Sequence, residues 1–151
     1  MQTTPKLVYS TFIRSTPKKV WAAITQPEFT SQYWGGAKNV SDWKKGSTWE
    51  HVFEKEADPI FLRGKVVESV PPTRLVLTWV DPDNTKDKSR VIFAIEQIED
   101  MVNLVVTHDK FSAHSKDMAK KVSWGWPRVL SSLKSYLETG KGLNIFACCG
   151  K

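Results

Sequence analysis

Two of the three histidines in this chain, His51 and His108, fall in segments where apolar and polar residues alternate. Such alternation is typical of a β-strand with one buried face, and in both segments the histidine is in phase with the apolar residues. A buried imidazole without a hydrogen-bond partner costs roughly 1–3 kcal/mol, so each ring needs a neighbouring side chain, a water or a ligand. Besides a structural role, two functions stay open: a polar anchor for a ligand with a hydroxyl or carboxylate, and the general base of an enzyme.

No other motif has the spacing of a catalytic or metal site. The chain contains no Gly-rich phosphate loop, no metal-ligand spacing and no nucleophile elbow, and we predict neither a cofactor nor a metal. Among the carboxylates, Glu68 is in phase with the inward face of its predicted strand. Because it lies near the end of that strand, we expect it at an edge position. Cys148 and Cys149 are adjacent, lack a nearby histidine in sequence and are interpreted as exposed thiols in a reducing compartment.

The composition is that of one ordinary globular domain. Of 151 residues, 40% are hydrophobic and 25% are charged, which allows a real core without disulfides. The net charge of +6 is spread over small groups of lysines, and no nucleic-acid-binding motif is present, so we expect no nucleic-acid partner. No segment approaches the ~18 apolar residues of a membrane span. The N-terminus also lacks the apolar core of a signal peptide. We therefore predict a cytoplasmic monomer or weak dimer without membrane attachment.

Periodicity predicts an α+β fold. Residues 7–14 form a first strand, Thr16 and Pro17 begin a short helix, and residues 28–33 form a second one. Five further strands are predicted at residues 47–54, 60–70, 74–80, 90–98 and 102–110, and the short turns between them indicate an antiparallel meander.

A long amphipathic helix is predicted at residues 114–139. Its apolar face carries Val122, Trp126, Val129, Leu130, Leu133 and Leu137. Gly140 should end the helix, and Pro127 should kink it near Ser123. We expect a single domain over residues 1–140 and a flexible tail over residues 141–151.

The predicted sheet has one apolar face that must be covered, and the long helix is the only amphipathic element left to cover it. A strongly curved sheet cannot lie flat on one helix, so a gap between them is plausible. Trp21, Trp79 and Trp126 are expected in the core, and Trp34, beside Gly35 and Gly36, is the candidate for the mouth of a cavity.

Several short motifs are specific through their order and spacing, although no single one of them is. They are Thr16-Pro17 with Val20-Trp21, Thr25, Pro27-Glu28, Trp34, Gly46 before Trp49, Gly64, Pro71 to Leu75, Thr78-Trp79, Leu104 to His108, and Gly125-Trp126-Pro127 with Leu130, Leu133 and Leu137. This arrangement resembles the SRPBCC superfamily, and within it the branch of homologues of the activator of heat-shock-protein ATPase. The resemblance covers about residues 7–139.

The resemblance implies a helix-grip fold, with a curved sheet of about six strands wrapped on the C-terminal helix and a cavity that takes apolar ligands. Members of the superfamily include chaperone activators, lipid binders and polyketide cyclases. We therefore expect the chain to bind a small, mostly apolar molecule. The alternatives are an interaction module that modulates a chaperone and a cyclase or dehydratase that uses an inward histidine. The predicted ligand-binding residues are Trp34, Trp49, His51, Phe53, Phe93, Ile95, Leu104, Val106, His108, Trp126, Leu130 and Leu133.

Overall fold

Seven strands form one antiparallel sheet in the structure, a computed structural model that describes residues 5–146. The strands are β1 (Leu7–Ile13), β2 (Lys38–Val40), β3 (Thr48–Val52), β4 (Ile60–Val70), β5 (Arg74–Asp81), β6 (Asn84–Ile98) and β7 (Met101–Asp109). Their spatial order is β1-β7-β6-β5-β4-β3-β2, so β1 and β2 form the two edges. The helices are α1 (Pro17–Thr25) and α2 (Pro27–Tyr33), between the edge strands in sequence, and the long α3 (Lys116–Thr139). The helix-grip prediction is confirmed, with one strand more than expected.

The helix boundaries follow local chemistry that the sequence carries. The Thr16 hydroxyl accepts a hydrogen bond from the Lys19 N–H at 3.3 Å, which caps α1, and Pro17 occupies the first turn. At the other end of the chain, Gly140 has a φ of 85° and its N–H donates to the Tyr136 carbonyl, as expected of a glycine that ends a helix.

Pro127 lies inside α3 and leaves one carbonyl of the helix without its usual partner. Because proline has no N–H, the Ser123 carbonyl, four residues earlier, cannot be paired within the helix. The Tyr9 hydroxyl of β1 donates to this carbonyl at 3.3 Å. The sheet therefore supplies the hydrogen bond that the proline removes.

A bulge in β4 changes which face its last residues occupy. Val66 pairs with Leu77 and both are buried, but the register shifts before Glu68, which pairs with Val76. Glu68 therefore shares the outer face with Val76, where its carboxylate forms an ion pair with Arg74 at 3.1 Å. The predicted inward phase of Glu68 was wrong because alternation alone does not reveal a bulge.

Residues 141–146 pack on the body, although the sequence predicted a flexible tail from residue 141. Ile145 is 7% exposed and belongs to the core cluster. The Leu143 N–H donates to the Ser132 hydroxyl at 2.8 Å. The Phe146 ring covers Gly35, where a Cβ atom would collide with it. Cys148 and Cys149 lie outside the described residues.

Within residues 5–146, a hydrophobic cluster lies between the sheet and α3, and all three helices contribute to it. Within the described part of the chain, no helix is both long enough and apolar enough to cross a membrane.

Candidate functional site

Trp49 of β3 occupies the space that a glycine leaves on the neighbouring strand β4. Gly64 lies opposite Trp49, and a side chain at Gly64 would collide with the Thr78 carbonyl and the indole. The indole crosses this gap and its Nε1–H donates to the Thr78 carbonyl at 2.7 Å. Its ring centroid consequently lies 5.4 Å from that of Trp79, which begins an aromatic cluster under the sheet.

His108 of β7 is fully buried and hydrogen-bonded at both ring nitrogens. The Trp126 indole N–H donates to Nδ1 at 3.0 Å, so Nδ1 is the acceptor and Nε2 carries the proton. Nε2 then donates to the Ser89 hydroxyl at 2.7 Å. Burial lowers the pKa of His108 to about 3, with a smaller opposite effect of Asp109, so the ring is neutral.

This arrangement does not suit Ser89 and His108 for nucleophilic catalysis. A serine nucleophile needs an imidazole that accepts its proton, whereas His108 donates to Ser89 in the tautomer that Trp126 imposes. The geometry is that of a satisfied core histidine that joins α3 to the sheet.

His51 of β3 is buried and hydrogen-bonded through one nitrogen to the short strand β2. The Asn39 amide donates to the Ile24 carbonyl at 3.4 Å, which turns the Asn39 carbonyl oxygen toward His51. That oxygen lies 2.6 Å from His51 Nδ1, so Nδ1 is the donor and Nε2 is left as an acceptor. Burial lowers the pKa of His51 to about 4 and keeps the ring neutral.

Three tryptophans meet at the centre of the interior. The Trp126 ring lies 5.6 Å from Trp34 and 5.7 Å from Trp79, and Trp34 also lies 5.0 Å from His51. Trp79 lies 5.3 Å from His108 and 6.4 Å from His51. The Trp79 indole N–H has no hydrogen-bond partner among residues 5–146, although the side chain is only 4% exposed. An unpaired donor thus sits among neutral aromatic rings.

The predicted site residues come together as one buried group. Trp34, expected at a cavity mouth, is 8% exposed and faces the interior. Phe53 lies at the margin, where its ring is 5.4 Å from His51 and 4.5 Å from Phe61. The other predicted residues are all buried: Trp49, His51, Phe93, Ile95, Leu104, Val106, His108, Trp126, Leu130 and Leu133.

Open concavities on the described surface include two that lie outside the buried group, although Trp43, which lines one of them, stacks on Trp49. One of about 420 Å³ is lined by Lys19, Ala22, Ala23, Phe29, Tyr136, Leu137 and Gly140. The other, of about 460 Å³, is lined by Trp21, Asp42, Trp43, Lys44, Lys45, Ser69 and Pro71. No group of three or more potential metal ligands occurs in the described residues.

Two partners of the histidines, Asn39 and Ser89, were not among the predicted site residues. Asn39 lies in a three-residue strand where no element was predicted, and Ser89 lies in the first half of β6, before the predicted start at residue 90. Trp79 was expected in the core, but its unpaired N–H depends on tertiary packing.

The family model described as Activator of Hsp90 ATPase homolog 1-like protein matches residues 14–138. The chain belongs to this family. The predicted branch of the SRPBCC superfamily is therefore confirmed. No curated protein matches the chain.

Solved structures of similar fold come from several bacteria. A protein from Cytophaga hutchinsonii, ChR145, is 23% identical, covers 93% of this chain and 98% of its own, and has a TM-score of 0.74. CalU16 from Micromonospora echinospora is 19% identical, with coverage of 95% and 80% and a TM-score of 0.73. The Aha1 dimer from Colwellia psychrerythraea is 22% identical, with coverage of 91% and 99% and a TM-score of 0.69. At these identities the likeness establishes the fold that this family member shares with them.

Proposed function

We propose that this protein binds a small, mostly apolar molecule between the sheet and α3, with the polar end of that molecule accepting a hydrogen bond from the Trp79 indole. The unpaired Trp79 N–H is the observation that carries this proposal. A buried donor without a partner costs about 1–3 kcal/mol, and a ligand or water that accepts from it recovers this free energy. The surrounding apolar and aromatic side chains suit the body of such a ligand.

The groups around Trp79 favour a hydroxyl as the polar end. His51 has an acceptor nitrogen, Nε2, and its ring lies 6.4 Å from that of Trp79. A hydroxyl can accept from Trp79 and donate to His51, whereas a carboxylate offers no proton to a neutral imidazole. The low pKa of His51, about 4, keeps the imidazole neutral near pH 7.

Access would require movement of the α2–β2 connection. Trp34 lies beside Gly35 and Gly36, whose φ values of 62° and 87° are in the region that favours glycine. Phe146 rests on Gly35 and would have to move with it. We propose that Trp34 swings aside to admit the ligand, as loops on glycine hinges do in other binding proteins.

The test is a titration of the protein with a long-chain alcohol, the matching carboxylate and the matching alkane, measured by calorimetry and by the Trp79 indole N–H resonance. We expect micromolar affinity for the alcohol, about 8 kcal/mol, and a clear shift of that resonance. Trp79→Phe should weaken alcohol binding about five- to tenfold, by the loss of one hydrogen bond, and leave alkane binding unchanged. Trp124→Phe, on the exposed face of α3, is the matched control.

Leu130→Trp tests whether the interior can make room. If a ligand space exists, the new ring should fill it and weaken binding at little cost in stability. In a solid core the added volume costs about 1–3 kcal/mol or more. Strong destabilisation by Leu130→Trp, together with no saturable binding of any probe, would refute the proposal.

A second candidate function is supported by the family itself. Its description refers to an activator of Hsp90 ATPase, and one solved structure of the same fold is described as an Aha1 dimer. We propose chaperone modulation as the alternative, with a chaperone as partner. Its test is the ATPase rate of an Hsp90-type chaperone with and without the full chain; a rate increase that survives Leu130→Trp would assign the function to the outer surface.

A further inference from the structure

The loop between β2 and β3 fixes a tryptophan in a backbone conformation that is rare for its type. Trp43 has a φ of 60°, a left-handed value that costs an ordinary residue roughly 1–2 kcal/mol. The Ser41 hydroxyl holds the loop by accepting from the Trp43 N–H at 3.0 Å and donating to the Thr48 carbonyl at 2.8 Å. The Trp43 ring stacks on Trp49 at a centroid distance of 6.5 Å. These contacts hold the Trp43 side chain in a fixed position at the surface.

Trp43 lines a surface concavity, described above, that we call the Trp21–Trp43 groove. Its apolar surface comes from Trp21 of α1, Trp43 and Pro71, and its charged groups are Lys44, Lys45 and Asp42; Ser69 completes the lining. The groove has a volume of about 460 Å³ and is open to solvent. Both indoles pack on the core and are only partly buried, so part of each ring faces outward.

The net charge of this groove is positive, because the two lysines Lys44 and Lys45 face one carboxylate, Asp42. That carboxylate accepts from the Lys44 backbone N–H at 2.9 Å, and its pKa is lowered first by a hydrogen bond from the Ser47 side chain, then by this N–H, and to a smaller extent by the charge of Lys44. Within residues 5–146, in contrast, the side chains of Lys44 and Lys45 form no ion pair or hydrogen bond. Two ammonium groups and one carboxylate therefore flank the two indole surfaces, which leaves one positive charge in excess.

We propose that the Trp21–Trp43 groove binds an acidic segment of a partner protein, with carboxylates on Lys44 and Lys45 and an apolar or aromatic side chain on the two indoles. An open groove suits an extended segment better than a small molecule, which binds best where most of its surface is buried. Two lysines are also fewer than the several phosphate contacts that support nucleic-acid binding. The groove opens on the outer surface, although Trp43 stacks on Trp49 of the interior group, and the proposed interaction requires no bound ligand.

The experiment uses the full ¹⁵N-labelled chain and a short peptide with a central phenylalanine flanked by glutamates. We expect saturable shifts of the Trp21 and Trp43 indole N–H resonances. Replacing the phenylalanine by glycine, or the glutamates by lysines, should remove most of the binding. Added salt should weaken the interaction, because the lysines are exposed.

Paired charge reversals distinguish binding of the peptide in this groove from nonspecific attraction of an acidic peptide to a basic protein. Lys44→Glu with Lys45→Glu should weaken binding at least tenfold, about 1.4 kcal/mol. Lys120→Glu with Lys121→Glu, an exposed pair on α3, should change it less than about twofold. Equal loss in both double variants, shifts confined to other residues, or tighter binding of an oligothymidylate to the groove would each overturn the proposal.

Discussion

The buried polar side chains of the interior are joined in short hydrogen-bonded chains. Trp126 donates to His108 and His108 donates to Ser89, so one ring links α3, β7 and β6. His51 and Asn39 form a second such link between β3 and β2. Because a buried polar group is costly only when it lacks a partner, removal of one member should cost more than the loss of its volume alone.

Trp126→Phe tests this at one position. The substitution keeps an aromatic ring but removes the donor to His108 Nδ1, so we expect the free energy of unfolding to fall by about 2–4 kcal/mol. Trp124→Phe, whose side chain is 66% exposed, should change it by less than about 0.5 kcal/mol. Urea denaturation of both variants is the measurement, and equal effects would show that the hydrogen bond contributes nothing.

The neutral histidines should make stability depend on pH. The pKa values of His51 and His108 fall from 6.5 to about 4 and about 3 on folding, because burial disfavours the charged ring. Below pH 6.5 the unfolded chain therefore binds protons that the folded chain does not. We expect stability to fall as the pH drops from 6.5 toward 4, by up to about 1.4 kcal/mol per pH unit for each histidine.

Denaturation at pH 7 and pH 5 measures this slope. His51→Gln should reduce this slope by the contribution of one histidine, because the pKa of His51 is lowered on folding. An unchanged slope in His51→Gln would mean that His51 binds protons equally in the folded and unfolded states, which would contradict the lowered pKa.

The alternation of residues was sufficient to predict both inward histidines but not their partners. His51 and His108 each share a face with large apolar residues, so burial of that face fixes their direction. Asn39 and Ser89 stand in segments rich in polar residues, where no period is visible. Their positions depend on which strands become neighbours, and this is a property of the folded sheet.

Among the helices and strands, α3 contains a residue that is unfavourable within a helix, Pro127. Pro127 should disrupt the helix, yet α3 runs from Lys116 to Thr139, and the Tyr9 hydroxyl serves the carbonyl that the proline leaves free. The prediction of the helix succeeded because its apolar stripe is long. The compensation was not predictable because Tyr9 lies at the other end of the chain.

A double-mutant cycle isolates this compensation. Tyr9→Phe should lower the free energy of unfolding by about 0.5–1.5 kcal/mol, the contribution of one hydrogen bond. In a Pro127→Ala background the Ser123 carbonyl regains a partner within the helix, so Tyr9→Phe should cost less. Denaturation of the four proteins gives the coupling; a cost of Tyr9→Phe that is the same in both backgrounds would contradict the role assigned to Tyr9.

Residues 141–146 form neither a helix nor a strand, but they pack on the body of the domain. Ile145 is buried and Leu143 is bonded to Ser132, although no periodicity marks this segment. We expect a chain that ends at Gly140 to be less stable by about 2–4 kcal/mol than a chain that ends at Phe146, through lost burial and one lost hydrogen bond. Equal thermal midpoints of the two chains would restore the view of this segment as a loose tail.

For the whole molecule, the sheet and the helices share one hydrophobic cluster. A chain that ends at Ser123 loses the buried side chains of Trp126, Val129, Leu130 and Leu133. At about 1.5–3 kcal/mol each, this loss is comparable to the total stability of a typical domain, about 5–15 kcal/mol. We expect no cooperative thermal transition and collapsed amide dispersion, with the chain that ends at Phe146 as control. A sharp transition in the shorter chain would mean that the sheet folds without α3.

The order of strands also determines when the sheet can close during synthesis. β1 precedes the other six strands of this sheet in the chain, but in the described sheet it pairs with the last of them, β7, with Leu7 opposite His108. The hairpins from β3 to β7 join strands that are adjacent in sequence and can form as they emerge. β1 must wait until nearly the whole sheet has been made, and its apolar residues stay exposed for that time. We therefore expect the newly made chain to be prone to aggregation through β1 until β7 has been made.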